Sequence, residues 1–161
     1  MRRIIVVALV VLVISATSFA AELGVYAGKE MNGRQRYLAG FDFRTTSGLW
    51  GIDIQAFAPL GAELDFSKLG EMDVAQISPF LQFTLPLGGI GLYAGAAPII
   101  VVDLNTWDFG LFSTRAVYVK GGIETTSGDI MAFAEAMSVL DYTALKINGI
   151  YSVHAGIGLR F

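Results

Sequence analysis

Cysteine is absent from the 161 residues, which excludes a disulfide framework, cysteine-ligated zinc, thiol nucleophiles and lipid attachment through an N-terminal cysteine. A single histidine, His154, leaves too few ring nitrogens for a histidine-based metal site, and no cofactor or metal is expected. Charge is scarce at 16% of residues, so neither a disordered tail nor a long solvated helix fits. Eleven basic against fourteen acidic residues give a net charge of −3, which argues against a nucleic-acid partner bound through phosphate neutralisation. Long hydrophobic runs are missing too. Past the N-terminus, Gly, Pro or a charge interrupts each apolar stretch before the ~18 residues a spanning helix needs. What is abundant is apolar residues, 54% of the chain, together with 19 glycines.

The N-terminus reads as an address. Arg2 and Arg3 precede an apolar run from Ile4 to Ile14, and Ser18-Phe19-Ala20 sets small residues three and one before a cleavage point. A signal peptide over 1–20 and a domain over 21–161 are therefore expected.

Period-two alternation dominates the remainder. Ile147, Gly149, Tyr151, Val153, Ala155, Ile157, Leu159 and Phe161 share one face, and the residues between them are small or polar. Tyr37 to Arg44, Trp50 to Phe57 and Gln76 to Leu85 alternate likewise. Turn residues divide the chain into eight strands, near 22–28, 35–45, 48–58, 73–85, 90–102, 111–124, 130–139 and 147–161. Their connections alternate between tight and long, the asymmetry of an outer-membrane barrel. The expected fold is all-β, an eight-stranded antiparallel up-and-down transmembrane β-barrel. Taking Thr46-Ser47 as a two-residue turn pairs Phe43 with Trp50 and Phe41 with Ile52. The next two tight turns pair Phe83 with Leu92 and Val119 with Ala134. Pro79 and Pro98 each remove a ladder donor inside strands four and five, near the rim, where a bulge is tolerable.

The polar face is mostly Gly, Ala, Ser, Gln and Thr with isolated charges, which suits the narrow interior of an eight-stranded barrel better than a water-exposed exterior. A lumen network of Glu22, Asp42, Arg44, Asp53, Lys120, Glu124, Glu135, His154 and Arg160 follows, and Asp103 falls on the same face. Glu22 and Arg160 should meet across the seam that joins the first and last strands. Aromatic girdles are expected from Phe43, Trp50, Phe83 and Phe161 at the tight-turn end, and from Tyr37 and Tyr151 at the other. Arg115 shares the outward parity beside a long loop, where it would meet lipopolysaccharide phosphates.

The alternation from Tyr151 to a terminal Phe161 resembles the last strand of bacterial outer-membrane barrels. That resemblance implies recognition by the barrel assembly machinery through Phe161 and places both termini in the periplasm. In architecture the chain is similar to the small eight-stranded class that includes the outer membrane protein A barrel domain.

Catalytic signals are weak. Ser152 and His154 lie two apart on one face, but some lipid A deacylases that carry a Ser/His/acid set on a small barrel use the order His-x-Ser and direct it at lipid. Gly88-Gly89-Ile90-Gly91 mimics a phosphate loop, yet no helix follows it. Glu63, Asp65, Glu71 and Asp73 lack the spacing of a dedicated calcium loop. The expected role is non-enzymatic, structural or surface-interacting in the outer membrane. Three rival readings remain: a small pore or conduit, a lipid A-modifying hydrolase, and a soluble periplasmic ligand-binding barrel.

Overall fold

A computed structural model describes residues 20–32, 35–62 and 73–161. The signal-peptide reading of 1–20 and the acidic residues Glu63, Asp65 and Glu71 fall outside the described residues, apart from Ala20 at the start of the first strand.

Ten strand segments follow in order: β1 (Ala20–Glu30), β2 (Tyr37–Ser47), β3 (Trp50–Gly61), β4 (Val74–Pro86), β5 (Ile90–Pro98), β6 (Ile100–Asp103), β7 (Asp108–Leu111), β8 (Ala116–Ser127), β9 (Ile130–Asp141) and β10 (Lys146–Arg160). β5 and β6 form one stave, as do β7 and β8, so eight antiparallel staves close into a barrel. Closure is made by β1 against β10, with Glu22 opposite Arg160 and Leu23 opposite Leu159. Ala21 and Phe161 also exchange backbone hydrogen bonds of 3.2 and 2.9 Å, pairing the two ends of the described chain. Closure pairs the first stave with the last and so removes both sheet edges along the barrel wall that β1–β5 and β8–β10 build.

The tight turns differ from expectation in register but not in facing. Ser47 pairs with Trp50 and Phe43 with Ile54, so the turn is Gly48-Leu49 and Thr46-Ser47 belong to β2. Phe83 pairs with Ala94, and Ile123 with Ala134. The deciding residues are Gly48 and Gly128, at φ +64° and +62°, which occupy the first central position that a II′ hairpin turn reserves for glycine. Each shift is even-numbered, so every side chain keeps the face that alternation assigned to it.

Pro79 and Pro98 are accommodated without a bulge. Ile77 faces Ile100 and Leu81 faces Ala96, so one register runs through and sets the two prolines opposite each other. Both missing donors fall on one rung, where the stave is interrupted at Ile99, and the pairing resumes unshifted beyond it.

Outward residues such as Leu23, Phe41, Leu81, Ile123 and Ile157 are exposed and apolar. The lumen holds an aromatic and aliphatic layer built on Tyr26, Leu38, Phe57, Phe80, Phe133 and Met137, beside a charged one. Space for these side chains comes from glycines directly across the ladder. Tyr26 faces Gly40, Tyr93 faces Gly122, Phe133 faces Gly156 and His154 faces Gly28. A methyl group on Gly122 would stand 2.6 Å from the Tyr93 ring, and one on Gly156 2.5 Å from the Phe133 ring. In a barrel this narrow, a large residue on one stave needs a missing side chain on the next.

Candidate functional site

Four staves bring charge to the middle of the lumen. β2 supplies Asp42 and Arg44, β3 Asp53 and Gln55, β8 Lys120 and Glu124, and β9 Glu135, all on the inward parity. The Arg44 guanidinium lies 2.8 Å from Asp42, 3.2 Å from Asp53 and 2.9 Å from Glu124. Its charged plane rests over the rings of Phe133 and Tyr93, at 4.3 and 4.8 Å from their centroids. Lys120 donates to Asp53 and, at 3.1 Å, to Glu135, with its ammonium over the Phe80 ring at 4.6 Å.

Glu135 is the hub. Its two oxygens accept from Gln55 Nε2 at 2.7 Å, Tyr93 OH at 2.9 Å and Lys120 Nζ at 3.1 Å, and His154 Nδ1 stands 3.1 Å away. A carboxylate withdrawn from water loses several kcal/mol of hydration, and only a surrounding set of donors such as this offsets it.

The structure thus brings Asp42, Arg44, Asp53, Lys120, Glu124, Glu135 and His154 into one connected cluster. Glu22 and Arg160 stand apart as a pair at 2.8 Å near the paired chain ends, with Glu22 buried and Arg160 41% exposed. Gln55 and Tyr93 belong to the cluster although sequence reasoning did not single them out. Their signal was parity, because Gln55 follows Asp53 by two and Tyr93 lies midway between Gly91 and Gly95.

Ser152 and His154 share the inward face, but they do not make a nucleophile and base. Both are buried, and among the described residues neither the Ser152 hydroxyl nor His154 Nε2 has a hydrogen-bond partner, so the two do not bond to each other. Among the described residues, no group of three His, Asp or Glu side chains is arranged to hold a metal ion.

Two expected placements, those of Tyr151 and Asp103, are corrected. Tyr151 does not join an outer girdle. Register shifts between Ile147 and Ser152 turn it towards the lumen mouth, where its hydroxyl donates to Glu30 at 2.6 Å and its ring lies 5.6 Å from Tyr118. Arg36 binds the same Glu30 carboxylate at 2.8 and 2.9 Å, and Tyr118 donates to Gln76, so the long-loop mouth carries its own polar cluster. Arg115 is exposed but stands in the irregular connection 112–115 rather than on a strand face, and its carbonyl accepts the Tyr142 N–H. Asp103 is no lumen charge. It caps the β6–β7 turn by accepting the N–H groups of Asn105 and Thr106, and these, Thr106 foremost, hold its carboxyl below the ordinary aspartate range. Of the other girdle residues, Trp50 and Phe83 are register partners stacked edge-to-face at 5.2 Å. Phe43 is half-buried, Phe161 is exposed, and Tyr37 carries the Lys29 ammonium 5.4 Å from its ring centroid.

No protein-family model and no curated protein matches the chain. Two solved structures do. The N-terminal β-barrel domain of Pseudomonas aeruginosa OprF superimposes with a TM-score of 0.58 at 12% identity, over 88% of this chain and 97% of that one. Neisserial surface protein A (NspA) gives 0.57 at 10% identity, over 90% and 98%. The fold is that of the small eight-stranded outer-membrane barrels. At such low identity the likeness carries architecture alone. The charge pairs inside this small barrel are therefore read from its own residues.

Proposed function

We infer that the chain is an integral outer-membrane barrel that acts as a structural or surface-interacting protein and performs no catalysis. The observation that carries this is the inversion of polarity. Apolar side chains are exposed around the outside, while Asp42, Arg44, Asp53, Lys120 and Glu135 are buried within. A water-soluble barrel needs the opposite arrangement, and lipid rewards this one. The start of β1 at Ala20 and the end of β10 lie at the tight-turn end, which in this reading is periplasmic, and the long loops face outward. In this reading Phe161 is offered to the barrel assembly machinery, and exposed Arg115, beside a long loop, is available to lipopolysaccharide phosphates. A filled lumen speaks against a pore, since Arg44, Phe80 and Met137 are almost without solvent contact in its middle.

The test is fractionation of cells expressing the chain, with gel mobility compared before and after boiling. The expected result is an outer-membrane band that shifts on heating. A soluble periplasmic protein with no heat-dependent shift would overturn the reading.

A further inference from the structure

We propose that the lumen holds a cation-binding site, an all-oxygen cradle for one alkali-metal ion formed by Asp42, Asp53, Gln55 and Ser78 where β2, β3 and β4 lie side by side.

Charge in the middle of the barrel does not balance. Asp42, Asp53 and Glu135 are set against Arg44 and Lys120, three carboxylates against two cations, and all five side chains are at most 1% exposed. Glu124, a further carboxylate on Arg44, is part-exposed, and counting it only deepens the deficit. A net negative charge withdrawn from water costs far more than an unmet hydrogen bond, and buried water molecules do not cancel it.

The donors are also unevenly distributed. Arg44 Nε meets Asp42 Oδ2 at 2.9 Å and Asp53 Oδ2 at 3.2 Å, and Lys120 Nζ and Gln55 Nε2 approach Asp53 through that same Oδ2. The Oδ1 atom of each aspartate is buried with no partner, and so are Gln55 Oε1 and Ser78 Oγ. Gln55 and Ser78 are themselves without solvent contact. Because Gln55 Nε2 donates to Glu135 at 2.7 Å, the sense of the amide is settled and its carbonyl is the free end.

Register gathers these four oxygens. Asp42 faces Gln55 across β2 and β3, Gln55 faces Ser78 across β3 and β4, and Asp53 lies two residues from Gln55 on the same face. Side chains at facing positions start about 5 Å apart, so their tips reach a common centre. Gly24 continues the rung beyond Asp42 and adds no side chain to it.

Two carboxylate oxygens, an amide carbonyl and a hydroxyl are hard donors, which select against metals that prefer thiolate or imidazole. Calcium wants about six to eight oxygens and overshoots a deficit of one charge. A single monovalent metal ion cancels the deficit and gives all four oxygens a partner, whereas a proton serves one of them.

The test is urea unfolding of the refolded full chain in detergent micelles, with sodium chloride or potassium chloride exchanged for N-methylglucamine chloride at constant ionic strength and pH. One bound ion should lower the unfolding constant about tenfold for each tenfold rise in alkali cation above half-saturation. Asp42→Asn, which removes the charge deficit and keeps the side chain's shape, should abolish that dependence. Ser78→Ala, which loses one hydroxyl and carries the test if the asparagine variant does not fold, should raise the half-saturating concentration about tenfold. Equal stability in all three salts would overturn the proposal, as would an alkali dependence that both variants retain unchanged. Stability that follows pH with no alkali dependence would assign the missing charge to a proton, on an aspartate or on His154, and overturn the ion.

Discussion

Substituting Gly122 by alanine tests the packing rule of the lumen most directly. The added methyl would stand 2.5 Å from the Ala134 carbonyl oxygen and 2.6 Å from Tyr93 Cζ, about 1 Å inside ordinary contact. The carbonyl belongs to the β8–β9 ladder, where Gly122 faces Glu135, and has nowhere to retreat. Tyr93 must move instead. Its hydroxyl donates to Glu135 at 2.9 Å, and Arg44 and Lys120 lie over its ring at 4.8 and 5.2 Å. Overpacking costs about 1–3 kcal/mol, and losing a hydrogen bond to a charged acceptor about 1.5–3. The expected destabilisation is therefore roughly 3–5 kcal/mol. Gly121→Ala is the matched control, since its methyl points outward and meets only the Tyr93 carbonyl oxygen at 3.7 Å. It should stay within about 0.5 kcal/mol of the parent. Urea unfolding of the refolded barrel, followed by heat-dependent gel mobility and tryptophan fluorescence, measures both. If Gly122→Ala proved as stable as Gly121→Ala, the claim that glycines make room for facing side chains would fail.

Glu135→Ala should cost about 3–5 kcal/mol in the same assay, because it leaves Lys120 and Tyr93 without their shared acceptor. Glu135→Gln, which keeps the shape, should recover part of that loss. Cysteines at Leu23 and Leu159, register partners across the closing seam, should form a disulfide within one chain, and failure to crosslink would refute the closure. Acidification should loosen the β6–β7 turn. The Asp103 carboxyl is held below its usual range by Thr106 and Asn105 N–H groups, so its contribution is present above about pH 3.9 and is lost as pH falls through the depressed value. The protection of the Asn105 and Thr106 amides, measured against their intrinsic exchange rates, should fall only in that acidic window, and a fall confined to neutral pH would contradict the capping role.

The outer-mouth cluster illustrates how far alternation reaches. Tyr151 has the parity of a lipid-facing residue, and nothing local in the chain marks the irregular pairing around Gly149 that turns it onto Glu30. Gly149 itself adopts φ +74°, a conformation that alternation does not announce. Arg115 likewise lies off the strand that alternation assigned to it, in a connection of four residues between β7 and β8.

Sequence alone determined the number of staves and the face of most side chains, because strand parity is a property of each residue's neighbours. It placed Glu135, Arg44 and Lys120 on the inward face without any knowledge of their partners. Register was decided at the turns, where Gly48 and Gly128 took the positive-φ positions and moved each hairpin by an even step. The identity of the hub was a tertiary outcome. Glu135 gathers donors from β3, β5, β8 and β10 because a narrow closed barrel brings staves distant in sequence within hydrogen-bond reach across its lumen.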